Sequence, residues 1–301
     1  MEILYLLEQI RNPILDALVS FITLFGEETI FMAICLIIFW CFNKWQGYYL
    51  LLTGFAGTVI NQTLKMTFKV PRPWIKDPDF KIVESAREAA TGYSFPSGHT
   101  QSSVGMFGGI ARANKNNVLR IFCVIMCILV PFSRLYLGVH TLADVLVSLV
   151  IALSLVFVGY PILKKAENSP KLMYTILIVM TFLVTISLLY FVLGNHPKDE
   201  NLASAIKNAG TLLGCILGLI VVYTVDRKNN FPTKAVWWAQ IIKVIGGIAL
   251  VLIVKEGLRT PFELIFVNTF VARAARYFMV VIAGGVIWPL TFPYFSKIKR
   301  K

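Results

Sequence analysis

Charge is scarce in this chain. Only 15% of its 301 residues are Asp, Glu, Lys or Arg, and 57% are hydrophobic. A soluble domain carries about a quarter charged residues. The composition cannot clothe a water-facing surface, and a mean hydropathy of +0.71 puts the chain in the membrane class. Acids are scarcer than bases, 16 against 29, for a net charge of +13. That surplus does not mark a nucleic-acid partner. It sits in short connectors between apolar stretches, beside membrane lipid headgroups, and not along one soluble face. Cysteine offers no framework. Cys35, Cys41, Cys123, Cys127 and Cys215 all lie in apolar runs, odd in number and without metal-site spacing, so neither a disulfide scaffold nor a zinc site is expected. There is no obvious repeat and no low-complexity linker. The opening MEILYLLEQIRNP has a glutamate in place of a basic leader region, so no cleavable signal is expected.

What fills the chain is apolar segments. Spans of about 20 apolar residues are predicted at 28–43, 47–66, 99–113, 118–136, 142–163, 172–194, 203–224, 235–255 and 270–291. The segment 99–113 is the poorest in large apolar residues. Ahead of them, Ile3, Leu7, Ile10, Ile14, Leu18, Phe21 and Phe25 recur at helical spacing, with Glu8, Asn12 and Asp16 off the stripe. Residues 1–26 are therefore read as an amphipathic interfacial helix that Pro13 kinks or divides. A tilted extra span is the alternative.

Basic residues collect in alternate connectors: Lys44; Arg112, Lys115 and Arg120; Lys164, Lys165 and Lys171; Arg227, Lys228 and Lys234; and the tail Lys297, Lys299, Arg300 and Lys301. The intervening side holds the mixed-charge loop 67–98, a turn near 137–141, a loop with His196, Lys198, Asp199 and Glu200, and the segment 256–269. The positive-inside rule then puts the tail in the cytoplasm and the long loop outside. Nine spans put the N-terminus outside as well.

Two of the only three histidines close the most informative pattern. Lys65 is followed by six residues and Arg72-Pro73. Pro96-Ser97-Gly98-His99 comes next, then Ser133-Arg134, His140 and Asp144. Every member falls on the external side, Arg72 in the loop and the others at span ends, where polar groups are costly unless they serve a purpose. Lys65, Arg72 and Arg134 are cations fit to hold a phosphate, the arginines as planar forks. Pro71 and Pro73 keep Arg72 extended. Gly98 allows close backbone approach at a helix start, and Ser97 is placed to donate to a phosphate, to cap the helix, or both. His140 and Asp144, at i and i+4, share a face; a carboxylate on one ring nitrogen leaves the other free to attack. His99 then serves as acid for the leaving group and base for water. Singly, Asp144 with Thr141 also reads as a helix-capping pair and Arg134 as an interface anchor. The site is expected to be an open polar pocket.

These three motifs, over residues 65–144, resemble the type-2 phosphatidic acid phosphatase superfamily of membrane lipid phosphatases, glucose-6-phosphatases and soluble vanadium haloperoxidases. The resemblance implies a phosphohistidine on His140, leaving-group protonation by His99 and support from Asp144. It implies phosphate binding by Lys65, Arg72, Ser97, Gly98 and Arg134, with no metal and no other cofactor. The implied architecture is an all-α integral membrane fold. A six-helix phosphatase core is joined to three C-terminal transmembrane helices, similar to the glucose-6-phosphatase and sphingosine-phosphate phosphatase branches. The division expected is 1–26 for the N-terminal helix, 27–165 for the region with all three motifs, and 166–301 for the last core span and extension, in one continuous membrane domain. The activity expected is hydrolysis of a lipid phosphate monoester or pyrophosphate at the external face of a cell membrane. A sugar-phosphate phosphatase is the second reading. A transporter or scramblase that uses the motifs only to grip a headgroup is the third. Arg259, Arg273 and Arg276, with Lys255, Glu256 and Glu263, are candidates to shape the substrate or, as a plainer reading, to form ion pairs at the headgroup level.

Overall fold

The computed structural model describes residues 1–194 and 199–298. His196, Lys198 and the tail cations Lys299, Arg300 and Lys301 lie outside the described residues. All regular structure among the described residues is helical: α1 (Glu2–Gln9), α2 (Pro13–Thr23), α3 (Glu28–Cys41), α4 (Lys44–Phe68), α5 (Pro73–Lys76), α6 (Gly98–Ala113), α7 (Asn117–Tyr136), α8 (Leu142–Glu167), α9 (Pro170–Gly194), α10 (Glu200–Asn229), α11 (Trp237–Gly257), α12 (Arg259–Ile265), α13 (Thr269–Ile282) and α14 (Phe292–Ser296).

Among the described residues, six helices are long and apolar enough to cross a membrane: α7, α8, α9, α10, α11 continued through α12, and the run from α13 to Ser296. The predicted segments at α3, α4 and α6 are helical but do not meet that measure alone. The reason is physical. At 16 residues, α6 is shorter than a crossing needs. Both α4 and α6 bury polar side chains, Thr53 and Asn61 on one and Thr100, Gln101 and Ser103 on the other. Helices enclosed by protein need no apolar coat. At 14 residues, α3 passes only together with α2 and the turn after it, the pair bent by 54°.

The chain forms two compact units. Residues 1–32 and 49–164 make the first, and residues 33–48 and 165–301 the second. In the second unit, Gly210, Gly214 and Gly218 form a four-residue repeat of small residues on α10. A methyl group on Gly214 would stand 2.1 Å from the Ala274 carbonyl oxygen of α13. Only glycine allows that approach, the usual way helices pack where lipid supplies no hydrophobic drive. In the same unit the buried Lys243 ammonium donates to the carbonyls of Trp40 and Thr233, each at 2.9 Å. Lys255–Glu256 and Arg259–Glu263 form ion pairs at 3.5 and 3.7 Å, while Arg276 is buried and its Nε has no hydrogen-bond partner among the described residues.

The first unit holds every motif residue. Asn12 caps α2 by accepting from Leu15 N at 3.1 Å, with Pro13 at the first helical position, so the predicted division at Pro13 is a helix start. Val19 and Leu15 of α2 pack on Val83, Ala86, Ala90, Tyr136, Leu137 and Val139. Leu4 and Leu7 of α1 pack on Phe80, Ile82, Leu135 and Val145. The N-terminal helices thus cover loop 69–97 and the turn before α8, while Ile14, Leu18 and Phe21 stay exposed. All five cysteines are free, four buried and Cys127 half-buried.

Candidate active site

Four elements bring the motifs together: the C-terminal end of α4, the loop 69–97, the start of α6, and the turn from α7 into α8. The loop is tied down by its backbone. Ser94 N donates to Val70 O at 2.8 Å, Val83 N to Leu137 O at 3.1 Å, and Ser97 N to Asp144 O at 3.1 Å. Gly92 and Gly138 turn the chain with φ of 67° and 79°, a region glycine enters without strain.

His140 is the centre. Its Nε2 lies 3.0 Å from Arg72 Nη1. A guanidinium only donates, so Nε2 is the acceptor and Nδ1 carries the proton. Nδ1 lies 3.6 Å from Asp144 Oδ2, in ion-pair range and slightly long for a hydrogen bond. Ser94 sits beside the two. Its hydroxyl donates to Asp144 Oδ2 at 2.6 Å and stands 3.5 Å from His140 Nδ1. Thr141 N donates to the same carboxylate oxygen at 2.7 Å, and Asp144 N returns a bond to Thr141 Oγ1 at 3.4 Å. Asp144 therefore does both things the sequence allowed: it caps α8 and stands behind the imidazole.

Arg72 is extended, as its flanking prolines require, at φ −65° and ψ 155°, though Pro73 goes on to open α5. Its guanidinium is held by the carbonyls of Gly92 (3.0 Å), Thr91 (2.7 Å) and Val139 (3.0 Å). Lys65 Nζ donates to Tyr93 O at 2.5 Å. Arg134 Nη1 donates to Thr23 Oγ1 at 2.7 Å. Ser97 caps α6, accepting from Thr100 N at 3.4 Å and from the Thr100 hydroxyl at 3.0 Å. Nothing stands within 4 Å of where a side chain on Gly98 would begin. His99 and His140 both lie in the field of Lys65, Arg72 and Arg134. Two buried nitrogens, Arg134 Nε and His99 Nε2, have no hydrogen-bond partner among the described residues.

The expected open pocket is not what forms. Arg134, His140 and Asp144 are 1, 2 and 1% exposed. Burial lowers the His140 imidazole well below its ordinary range, with the cations adding to it and Asp144 opposing it. Burial also lowers Arg72 to about 10, so it stays charged at neutral pH. A neutral His140 keeps its Nε2 lone pair. As pH falls through about 6.5, where a free histidine protonates, His140 stays neutral, and it gains a proton only in more acid solution. Nitrogen-15 NMR of the solubilised protein, with His140 assigned by its loss in His140→Ala, reads this directly. Protonation at or above pH 6.5 would count against it.

Sequence reasoning did not single out Ser94, Thr23 or Gly26. Ser94 is three residues ahead of Ser97 in the same loop, but nothing in its spacing marks it as Asp144's partner. Among the described residues, no three or more His, Cys, Asp or Glu side chains are grouped to hold a metal.

A family profile described as the PAP2 superfamily matches residues 45–168. Another, described as the PAP2 superfamily phosphatase transmembrane extension, matches residues 206–300. Undecaprenyl-diphosphatase BcrC of Bacillus subtilis is 32% identical over 154 residues, covering 50% of this chain and 76% of that protein. Phosphatidylglycerophosphatase B of the same organism is 29% identical over 165 residues, covering 49% and 75%. A probable sphingosine-1-phosphate phosphatase of Dictyostelium discoideum is 26% identical over 241 residues, covering 75% and 57%.

Proposed function

The chain belongs to the PAP2 superfamily and is a multi-pass membrane phosphatase, and from that premise we propose that it hydrolyses a lipid phosphate, monoester or pyrophosphate, through a phosphohistidine on His140 and without a metal. The observation that carries the reading is the His140 ring, proton toward Asp144 and lone pair toward Arg72. A phosphate drawn to Arg72 meets that lone pair. Lys65, Arg72 and Arg134 take its nonbridging oxygens, with the α6 amides at Gly98 beside them. His140 Nε2 attacks phosphorus, the bond to the leaving oxygen breaks, and His99 gives that oxygen its proton. Asp144, held by Ser94 and Thr141 N, balances the charge that grows on the imidazole. His99 then takes a proton from water, the hydroxide attacks phosphorus, the P–N bond breaks, and phosphate leaves. Fixed cations supply the charge stabilisation that a metal supplies elsewhere, and a cationic site repels one.

The relatives named above are named for undecaprenyl diphosphate, phosphatidylglycerophosphate and sphingosine 1-phosphate, all phosphorylated lipids. A lipid leaves its tail in the bilayer and needs only the phosphate cradle. A sugar phosphate needs a closed polar chamber for its hydroxyls. Comparing kcat/KM for a long-chain lipid phosphate and glucose 6-phosphate in one detergent tests this. Preference for the lipid is expected, and a clear preference for the sugar overturns the substrate class.

We read the fold as nine crossings, with α3, α4 and α6 added to the six, and residues 1–26 as lying at the interface. The exposed Ile14, Leu18 and Phe21 support an apolar face turned to lipid. The alternating basic connectors support a catalytic face outside and a cytoplasmic C-terminus. A cysteine placed at residues 80–90 then reacts with an impermeant thiol reagent on intact cells, and one at Lys299 does not. The opposite labelling would invert the topology and leave the chemistry standing.

A further inference from the structure

The two motif side chains with unpartnered buried nitrogens, Arg134 and His99, are both set by the end of α2, outside the residues matched by the family profiles. We propose that Thr23 and Gly26 are positioning residues of the phosphatase, Thr23 for the phosphate-gripping Arg134 and Gly26 for the leaving-group acid His99.

Thr23 ends α2, and Gly26 closes the 3-10 turn that follows. Three residues apart, they lie on one side of a helical turn. The buried Thr23 hydroxyl accepts from Arg134 Nη1 at 2.7 Å. That bond fixes the plane of a fork whose Nε and remaining Nη must meet phosphate oxygens in a set direction. Gly26 works by being small. A methyl group there would stand 2.8 Å from His99 Cβ, 3.0 Å from His99 Cδ2 and 2.9 Å from Val130 Cγ1. The imidazole is packed directly on bare backbone, so any side chain at 26 must displace it. The segment carrying both residues is anchored on the site's own loop. Tyr136, next but one after Arg134, donates its hydroxyl to Asp16 at 2.8 Å, and Arg11 Nε donates to Tyr136 O at 2.9 Å. An error in α2 is therefore passed to the site.

The proposal rests on the phosphatase reading, and its test separates the two. The full-length protein is purified with Thr23→Val, Thr23→Ser, Thr23→Ala and Gly26→Ala. Each is assayed with an alkyl phosphate, a poor leaving group, and with p-nitrophenyl phosphate, a good one, and each is titrated with inorganic phosphate as inhibitor. Thr23→Val should weaken phosphate inhibition and kcat/KM by roughly tenfold or more, the worth of a hydrogen bond to a charged group, on both substrates alike. Thr23→Ser should recover most of the loss. Should Thr23→Val fail to fold, Thr23→Ala carries the same expectation. Gly26→Ala should lose far more kcat/KM on the alkyl phosphate than on p-nitrophenyl phosphate, because kcat/KM runs only through formation of the phosphoenzyme, where the poor leaving group alone depends on the proton from His99. A merely structural defect lowers both substrates together. An active wild type with Thr23 variants that bind phosphate unchanged, with Thr23→Ser as impaired as Thr23→Val, or with Gly26→Ala equal on both leaving groups, overturns the proposal alone. A wild type that neither turns over nor is inhibited by phosphate overturns the proposal and the phosphatase reading together.

Discussion

His140→Ala loses turnover by roughly five to six orders of magnitude, the scale on which removal of an enzyme's covalent nucleophile is felt. The fold survives. Arg72, which loses one contact, is still held by the carbonyls of Thr91, Gly92 and Val139. Asp144 keeps Ser94 and Thr141 N. The alanine protein should elute and melt like the wild type and still be stabilised by inorganic phosphate, because the three cations remain. This separates the account from one in which the motifs only grip a headgroup. A gripping site needs Lys65, Arg72 and Arg134, but it needs no neutral imidazole whose lone pair faces Arg72. His140→Ala with wild-type turnover would end the mechanism.

Excess EDTA leaves turnover where it was, and vanadate stops it. Among the described residues, the charges that act on the histidines are Lys65, Arg72 and Arg134, with Asp144 opposing them at His140. Such a site stabilises the transferring phosphoryl group with fixed charge and has no use for a second positive ion. Vanadate can take a five-coordinate geometry like that of the transition state, and transition-state mimics bind at least about a hundredfold tighter than ground-state ligands. Its inhibition constant should fall below that of inorganic phosphate by about that factor, and His140→Ala should erase the difference. Loss of activity in EDTA with recovery on Mg²⁺ would contradict this.

The site was legible because membrane sequence is a quiet background. In a chain with three histidines, an imidazole at a span end stands out, and the spacing from Arg134 to His140 to Asp144 reads directly as a helix end, a turn and a helix start. Convergence was legible too, since successive helices return the chain to the same end. Side-chain apposition was not. Thr23 is 111 residues from Arg134 and ends an amphipathic stripe, and no local pattern tells a threonine that accepts from an arginine from one that bonds its own helix. The depth of burial was missed for a related reason. Residues 67–98 look like a solvent-exposed loop until α1 and α2 are seen to cover them. Hydropathy is lower in α4 and α6 because both bury polar side chains, Thr53, Asn61, Thr100, Gln101 and Ser103, inside the protein.

The central claim is a covalent bond between phosphorus and His140 Nε2. Protein mixed with a lipid phosphate carrying labelled phosphorus, quenched within the first turnover and digested, should give one labelled peptide containing His140. Its label should be lost in acid and stable in base, as a phosphoramidate is, and it should be missing from His140→Ala. Label at His99, or turnover with no labelled peptide at any quench time, would contradict the account.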